Sequence, residues 1–180
     1  MIIDTEMMIY LIANKDFGKF CGSRCKCNHE KLFESLGKAI PEHQDIVGEF
    51  FFELKLFLRS NPIGKVFIAP TDVIFQIDDV VIPDVMFISK KRQDLISKRG
   101  VEGAPDLVIE VISPSSVKRD LEVKRKLCQR EGVIVYIAVE PETKRVHVWD
   151  GNHSFVLGIG ETLTCSVLPG FSLSVDKLFA

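Results

Sequence analysis

The sequence predicts an α/β fold: a mixed central sheet flanked by helices. Three observations predict it. Ile46, Phe50, Leu54 and Phe57 recur at helical spacing, with Val47, Phe51 and Leu58 widening the stripe. Three runs rich in β-branched and aromatic residues follow, Lys65–Ala69, Asp72–Ile77 and Val80–Ser89. Then two apolar runs, Asp106–Ser113 and Val133–Val139, bracket a helical pattern. Strand, helix, strand in that order makes a right-handed βαβ unit with parallel strands.

Each element has a local reason. The first helix spans Glu42–Ser60, and Asn61-Pro62-Ile63-Gly64 stops it with helix-breaking residues. The three strand runs are separated by Pro70 and by Asp78-Asp79, and read as an antiparallel meander. A charged loop, Lys90–Gly103, leads to Asp106–Ser113, whose nearly continuous apolar character predicts burial on both sheet faces. Pro114-Ser115-Ser116 opens a helix to about Glu131, with Ser115 or Ser116 as N-cap and Gly132 as stop. Lys144–Trp149 and Ser154–Gly158 form a closing hairpin around Asp150-Gly151-Asn152. Upstream, Met7–Ile12 is a short apolar run, and Asn14–His29, rich in Gly, Lys, Asn and Cys, reads as loop. A length of 180 residues suits one domain, with residues 1–41 an N-terminal segment of the same domain as 42–180.

A hydrophobic content of 46% is enough for a core, and a net charge of −2 gives no global basic field. Any contact with nucleic acid must therefore rest on local charge. Asp4 and Glu6 interrupt the apolar N-terminus, no run is long and apolar enough to span a membrane, and the five cysteines are an odd number. Reduced thiols, a cytoplasmic location and no membrane association are the expectations. Cys21, Cys25, Cys27 and His29 offer four zinc-capable groups within nine positions. One short loop is poorly disposed to build a tetrahedron, so no zinc site is assigned to them. Cys128 and Cys165 read as packing residues.

The informative residues are charges where the pattern calls for apolar side chains. Glu110 lies inside the run Asp106-Leu-Val-Ile-Glu-Val-Ile, and a carboxylate in a doubly buried strand needs a cation. A metal ion would serve, and so would a structural ion pair. Asp84 follows Pro83 within Val80–Ser89. If Val85–Ile88 and Leu107–Ile109 are neighbouring strands, Asp84 and Glu110 come together, and two such acids with hard oxygen donors suit Mg²⁺ or Mn²⁺. Lys124 shares a helical stripe with Val117, Leu121 and Cys128, which turns it toward the sheet. It is placed either to orient a water or offset charge on a phosphate oxygen, or to snorkel over apolar surface, with Asp120 as an i,i+4 partner. His43 falls in the inward arc of the first helix, and Glu49 and Glu53 flank that arc. Lys90, Lys91 and Arg92, joined by Lys98 and Arg99, make one basic run, and Lys118, Arg119, Arg125, Lys126 and Arg130 another. Such runs can track a phosphate backbone or simply face solvent.

These residues carry a resemblance. Ile82-Pro83-Asp84-Val85, then Pro105-Asp106-Leu107-Val108-Ile109-Glu110-Val111-Ile112-Ser113-Pro114-Ser115-Ser116, then Asp120, Lys124 and Gly132-Val133, with a strand ending near Glu140-Pro141, resemble the Uma-two family of restriction-endonuclease-like proteins. That family is placed in the PD-(D/E)xK nuclease superfamily, and the resemblance runs from about His43 to Trp149. It implies a restriction-endonuclease-like sheet, with Asp84 the first metal-binding acid and Glu110 the second. The superfamily's lysine usually stands two residues after the second acid. That position is Ile112 here, and Lys124 would take its place. Asp106, Ser113 and Asp120 would be supporting residues, and His43 matches a family histidine. Two features depart from the family: Cys128 stands where members often have tyrosine, and Asn14–Ile40 lacks the acidic, Gly-rich hairpin that usually precedes the histidine helix.

The resemblance implies a Mg²⁺- or Mn²⁺-dependent endonuclease that hydrolyses nucleic-acid phosphodiesters, with DNA the first expectation. Superfamily members often dimerise to cut two strands, so a homodimer is compatible with it. The alternative is a nucleic-acid-binding or assembly module that keeps the fold without catalysis, favoured by the altered N-terminal segment. A third is a metal-dependent phosphoesterase acting on a smaller substrate. Fold alone does not choose among these.

Overall fold

The computed structural model describes residues 41–76, 79–113 and 119–180, with the backbone alone for Arg119 and Asp120. The Met7–Ile12 run, the Cys21, Cys25, Cys27 and His29 set, Lys118 and the Ser115 or Ser116 cap lie outside the described residues.

Helix α1 (Pro41–Ser60) buries Ile46, Val47, Phe50 and Leu54, the core of the stripe read from the sequence. Phe50 and Leu54 are completely buried, and burial of such a side chain stabilises the fold by about 1.5–3 kcal/mol. The chain then crosses into β1 (Gly64–Ile68), β2 (Val73–Gln76), β3 (Asp79–Val81) and β4 (Val85–Ser89). A 3₁₀ turn (Lys90–Leu95) and two short strands, β5 (Ile96–Ser97) and β6 (Gly100–Val101), lead to β7 (Leu107–Val111). A π-helical turn (Arg119–Lys124) runs into α2 (Arg125–Arg130), followed by β8 (Val135–Glu140), β9 (Arg145–Asp150) and β10 (His153–Leu157).

Among the described residues the main sheet has six strands in the order β1-β4-β7-β8-β9-β10. The β7–β8 pair is parallel and its neighbours are antiparallel, so the sheet is mixed, as the sequence predicts. Alternation along the strands sorts the core into two layers. Val85, Phe87, Ile109, Val111, Ile137 and Val139 join the α1 side, whereas Val108, Tyr136 and Ala138 pack with Cys128 of α2.

The expected meander is not what forms. β1 pairs with β4, while β2 and β3 form a hairpin that leaves for a second sheet of order β3-β2-β6-β5. The reason lies in Val80–Ser89, which is two strands rather than one: residues 82–84, with Pro83 and its missing N–H, separate β3 from β4. The expected charged loop Lys90–Gly103 likewise contains the 3₁₀ turn and the β5–β6 hairpin, where Ile96 pairs with Val101. After β10 the sequence reading assigned no elements. The chain there makes β11 (Thr162–Leu163), β12 (Leu173–Ser174) and α3 (Val175–Leu178), whose Leu163, Leu173, Val175 and Leu178 close the α1-side core. Ser174 caps α3 by accepting from the Asp176 N–H at 3.3 Å.

Gly64, one of the residues that stop α1, has a packing role as well. A Cβ there would lie 2.3 Å from the Ile88 carbonyl oxygen and 2.5 Å from the Phe87 ring, so only glycine lets β1 approach β4. No described helix is long and apolar enough to cross a membrane.

Candidate active site

The β4–β7 register pairs Val85 with Ile109, Met86 with Val108 and Phe87 with Leu107. Continued by one residue, it sets Asp84 opposite Glu110. Asp84 stands just before β4, and its carboxylate takes over the hydrogen bonding where the ladder stops. Asp84 Oδ2 accepts the Val111 N–H at 2.7 Å, and the Asp84 carbonyl accepts the Ala69 N–H at 3.0 Å. His43, in the first turn of α1, brings Nε2 to 3.4 Å from the same Oδ2.

Glu110 lies on the α2 face of the sheet and is among the few buried charged side chains, with Asp106. Lys124 meets it: Nζ is 2.6 Å from Glu110 Oε1, with 15% of the lysine side chain and 4% of the glutamate side chain exposed. The same ammonium donates to the Ile82 carbonyl at 3.3 Å. Lys124 ends the π-helical turn, and such turns are rare and frequently found at functional sites. Below it, α2 seats Cys128 against the sheet. Burial pushes the Cys128 thiol up to about 12, the Glu110 carboxylate adds to the effect and Lys124 opposes it. That sulfur is a packed thiol rather than a nucleophile.

The structure thus makes two pairs, His43 with Asp84 and Lys124 with Glu110, on neighbouring strands whose register sets the two acids opposite each other. Other residues named from the sequence lie elsewhere. Asp106 is four residues before Glu110 on the same chain direction, roughly 13 Å away along an extended strand. Its Oδ2 accepts the Ser89 N–H at 2.7 Å, and Oδ1 lies 3.5 Å from Arg92 Nε. Arg92 also donates to the carbonyls of Ala104 (2.9 Å) and Gly132 (3.2 Å), so it ties together the end of the sheet far from Asp84. Lys90 and Lys91 are exposed at that same end, directly after β4, whereas Asp84 precedes β4. Ser113 is partly buried two residues beyond β7. Side chains of Lys118, Arg119 and Asp120 lie outside the described residues. Glu53 is taken up by an ion pair with Lys177 of α3 at 2.5 Å.

Some contributors carry no side-chain signature and were missed for that reason: the Val111 N–H and the Ile82 carbonyl. His147 was missed too. Register places Glu110, Ala138 and His147 in one row across β7, β8 and β9. His147 stacks on Trp149 at 6.0 Å and holds Nε2 3.7 Å from Glu140 Oε2, and Arg125 covers the other aromatic partner at 4.8 Å from the Trp149 ring centre. The alternation of Arg145, His147 and Trp149 with Val146 and Val148 was the available signal, since it puts three polar or aromatic groups on one face.

Among the described residues, no cluster of three or more His, Cys, Asp or Glu side chains is arranged to hold a metal ion. The acidic donors at the site are the pair Asp84 and Glu110.

A six-stranded mixed sheet with helices packed on it defines the class, an α/β protein. The family model Uma2, described as "Putative restriction endonuclease", matches residues 15–176, and the chain belongs to that family. In three dimensions the chain is similar to a solved protein from Anabaena variabilis ATCC 29413 described as "a putative nuclease belonging to DUF820". The TM-score is 0.66 at 19% identity, covering 77% of this chain and 80% of that one. At that identity the likeness speaks for the fold. No curated protein matches the chain.

Proposed function

We propose that the protein is a divalent-metal-dependent phosphodiesterase that cleaves nucleic acid, DNA in the first instance. The observation that carries this reading is the register that sets Asp84 opposite Glu110 where β4 and β7 pair, with Lys124 at 2.6 Å from the glutamate. The charges support a cation there: among the described side chains, the carboxylates of Asp84 and Glu110 are accompanied by the single Lys124 ammonium and by His43. The donor chemistry supports magnesium or manganese. Magnesium keeps several waters and is commonly held by one or two carboxylates plus substrate phosphate, so two acids suffice. Asp84 and Glu110 would hold it.

Such a cation supplies Lewis acidity to a phosphate oxygen and lowers the pKa of a water. The chain's own residues do the rest. The Val111 N–H and His43 Nε2 fix Asp84 Oδ2 from two sides, so the carboxylate is oriented before any ligand arrives. Lys124 orients the attacking water and offsets charge building on the phosphate oxygens. Lys90, Lys91 and Arg92 stand at the other end of the sheet, so their contact with nucleic acid, if made, belongs to backbone tracking remote from the scissile bond.

The binding-module reading is favoured by one sequence feature: Asn14–Ile40 lacks the acidic, Gly-rich hairpin usual in the family. Plasmid cleavage with Mg²⁺ or Mn²⁺, comparing the wild type with Glu110→Gln, tests both. Cleavage by the wild type alone supports the nuclease. No cleavage by either protein, together with no divalent-cation binding by calorimetry, moves the assignment to the module.

A further inference from the structure

We infer that the Lys124 ammonium is a built-in counter-cation. It holds the cation position on Glu110 and must leave it for a divalent metal to bind, so that metal loading and lysine release are one event. The inference rests on the metal-dependent reading above and says how that site is kept and opened.

The ammonium touches two oxygens, Glu110 Oε1 at 2.6 Å and the Ile82 carbonyl at 3.3 Å. Both are hard donors of the kind Mg²⁺ and Mn²⁺ take. Ile82 lies two residues before Asp84, so Nζ sits between the β7 carboxylate and the segment that carries the second acid. With 4% of its side chain exposed, Glu110 has little access to water, and a buried carboxylate without a cation is costly. Among the described residues Lys124 is the cation that attends it. An ammonium and a divalent ion cannot share that carboxylate cheaply, because two positive centres a few ångströms apart in a poorly hydrated site repel strongly.

The lysine is also mounted to move. It ends a π-helical turn, one residue before regular α-helix begins at Arg125. Converting a π turn to an α turn changes the helical register by one residue, and the four-carbon stem of lysine adds its own reach. An ammonium released next to a loaded cation is within reach of substrate phosphate, so it becomes available when its catalytic role begins.

The test is Mn²⁺ titration calorimetry on the full chain as wild type, Lys124→Met, Lys124→Arg and Glu110→Gln. Lys124→Met is expected to bind Mn²⁺ about tenfold tighter or more, since its neutral side chain no longer competes. Lys124→Arg, which keeps a cation, should bind no tighter than the wild type, and Glu110→Gln should lose binding. A second readout is amine labelling followed by mass spectrometry, with Lys124 protected without Mn²⁺ and modified with it. Equal or weaker binding by Lys124→Met overturns the inference and leaves the metal-dependent reading standing, as does tightening by Lys124→Arg to the same degree. Absence of Mn²⁺ binding by both the wild type and Lys124→Met overturns the inference and the metal-dependent reading together.

Discussion

Lys124→Met removes the charge that faces Glu110 while keeping most of the volume. The glutamate side chain is 4% exposed and the lysine side chain 15%, so the pair is buried rather than a surface bridge. Breaking a buried pair by deleting one partner costs about 3–5 kcal/mol, because the remaining charge is left without compensation. At this chain length each kcal/mol moves the melting temperature by about 2–4 °C, so a fall of about 6–20 °C is expected. The double variant Glu110→Gln/Lys124→Met removes both charges of the pair and should recover most of that loss. The coupling between the two sites would then be about 2–3 kcal/mol in favour of the pair. The assay is thermal unfolding followed by circular dichroism in the presence of a chelator, which keeps adventitious metal from replacing the lysine. Mn²⁺ added to the single variant should raise its melting temperature more than it raises the wild type's, since binding to the native state stabilises it. A Lys124→Met protein that melts within about 2 °C of the wild type in chelator would refute the reasoning, because Glu110 would then not depend on a cation.

Other substitutions separate architecture from chemistry. Asp106→Ala removes the acceptor for the Ser89 N–H and the partner of Arg92, and should cost about 1–3 kcal/mol in denaturant unfolding while leaving Mn²⁺ affinity at the wild-type value. Gly64→Ala drives a Cβ against the Ile88 carbonyl, and a shift of the denaturation midpoint equivalent to about 1–3 kcal/mol is expected. Burial raises the Cys128 and Cys165 thiols from 9.0 to about 12, so the native state keeps protons that the unfolded chain gives up. Stability from these thiols is complete below about pH 9 and declines as pH rises toward 12; peptide mapping should find both cysteines unalkylated by iodoacetamide at pH 8 until denaturant is added.

How much of this is legible from the sequence depends on the kind of information each feature carries. Helix α1 and the parallel β7–β8 pair were readable because their burial is periodic or continuous in the chain. The partner of β1 was not. Nothing local distinguishes a meander from a hairpin that swings out to a second sheet, because β2 and β3 have the same composition in either case. The choice is made by β6, which pairs with β2 through Val73 and Val101 from far along the chain. The tail was unreadable for a different reason: β11, β12 and α3 are too short for any period to show.

The acids and the lysine were conspicuous because each breaks the pattern of its own element. Glu110 interrupts an apolar strand, and Lys124 interrupts an apolar stripe. What the sequence could not contain is the reason the two meet. A regular α-helix through residues 116–131 would put Lys124 on the inward stripe by periodicity alone, but the segment Arg119–Lys124 is a π turn and the α-helical period starts after it. Lys124, four residues before the buried Cys128, keeps the inward position that periodicity gives it, at the end of that irregular turn. There it makes an ion pair at 2.6 Å with the buried Glu110 carboxylate. Buried acid and ammonium are thus one coupled arrangement, and on the inference drawn above the coupling that makes Lys124 stabilising without metal is what makes it displaceable by one.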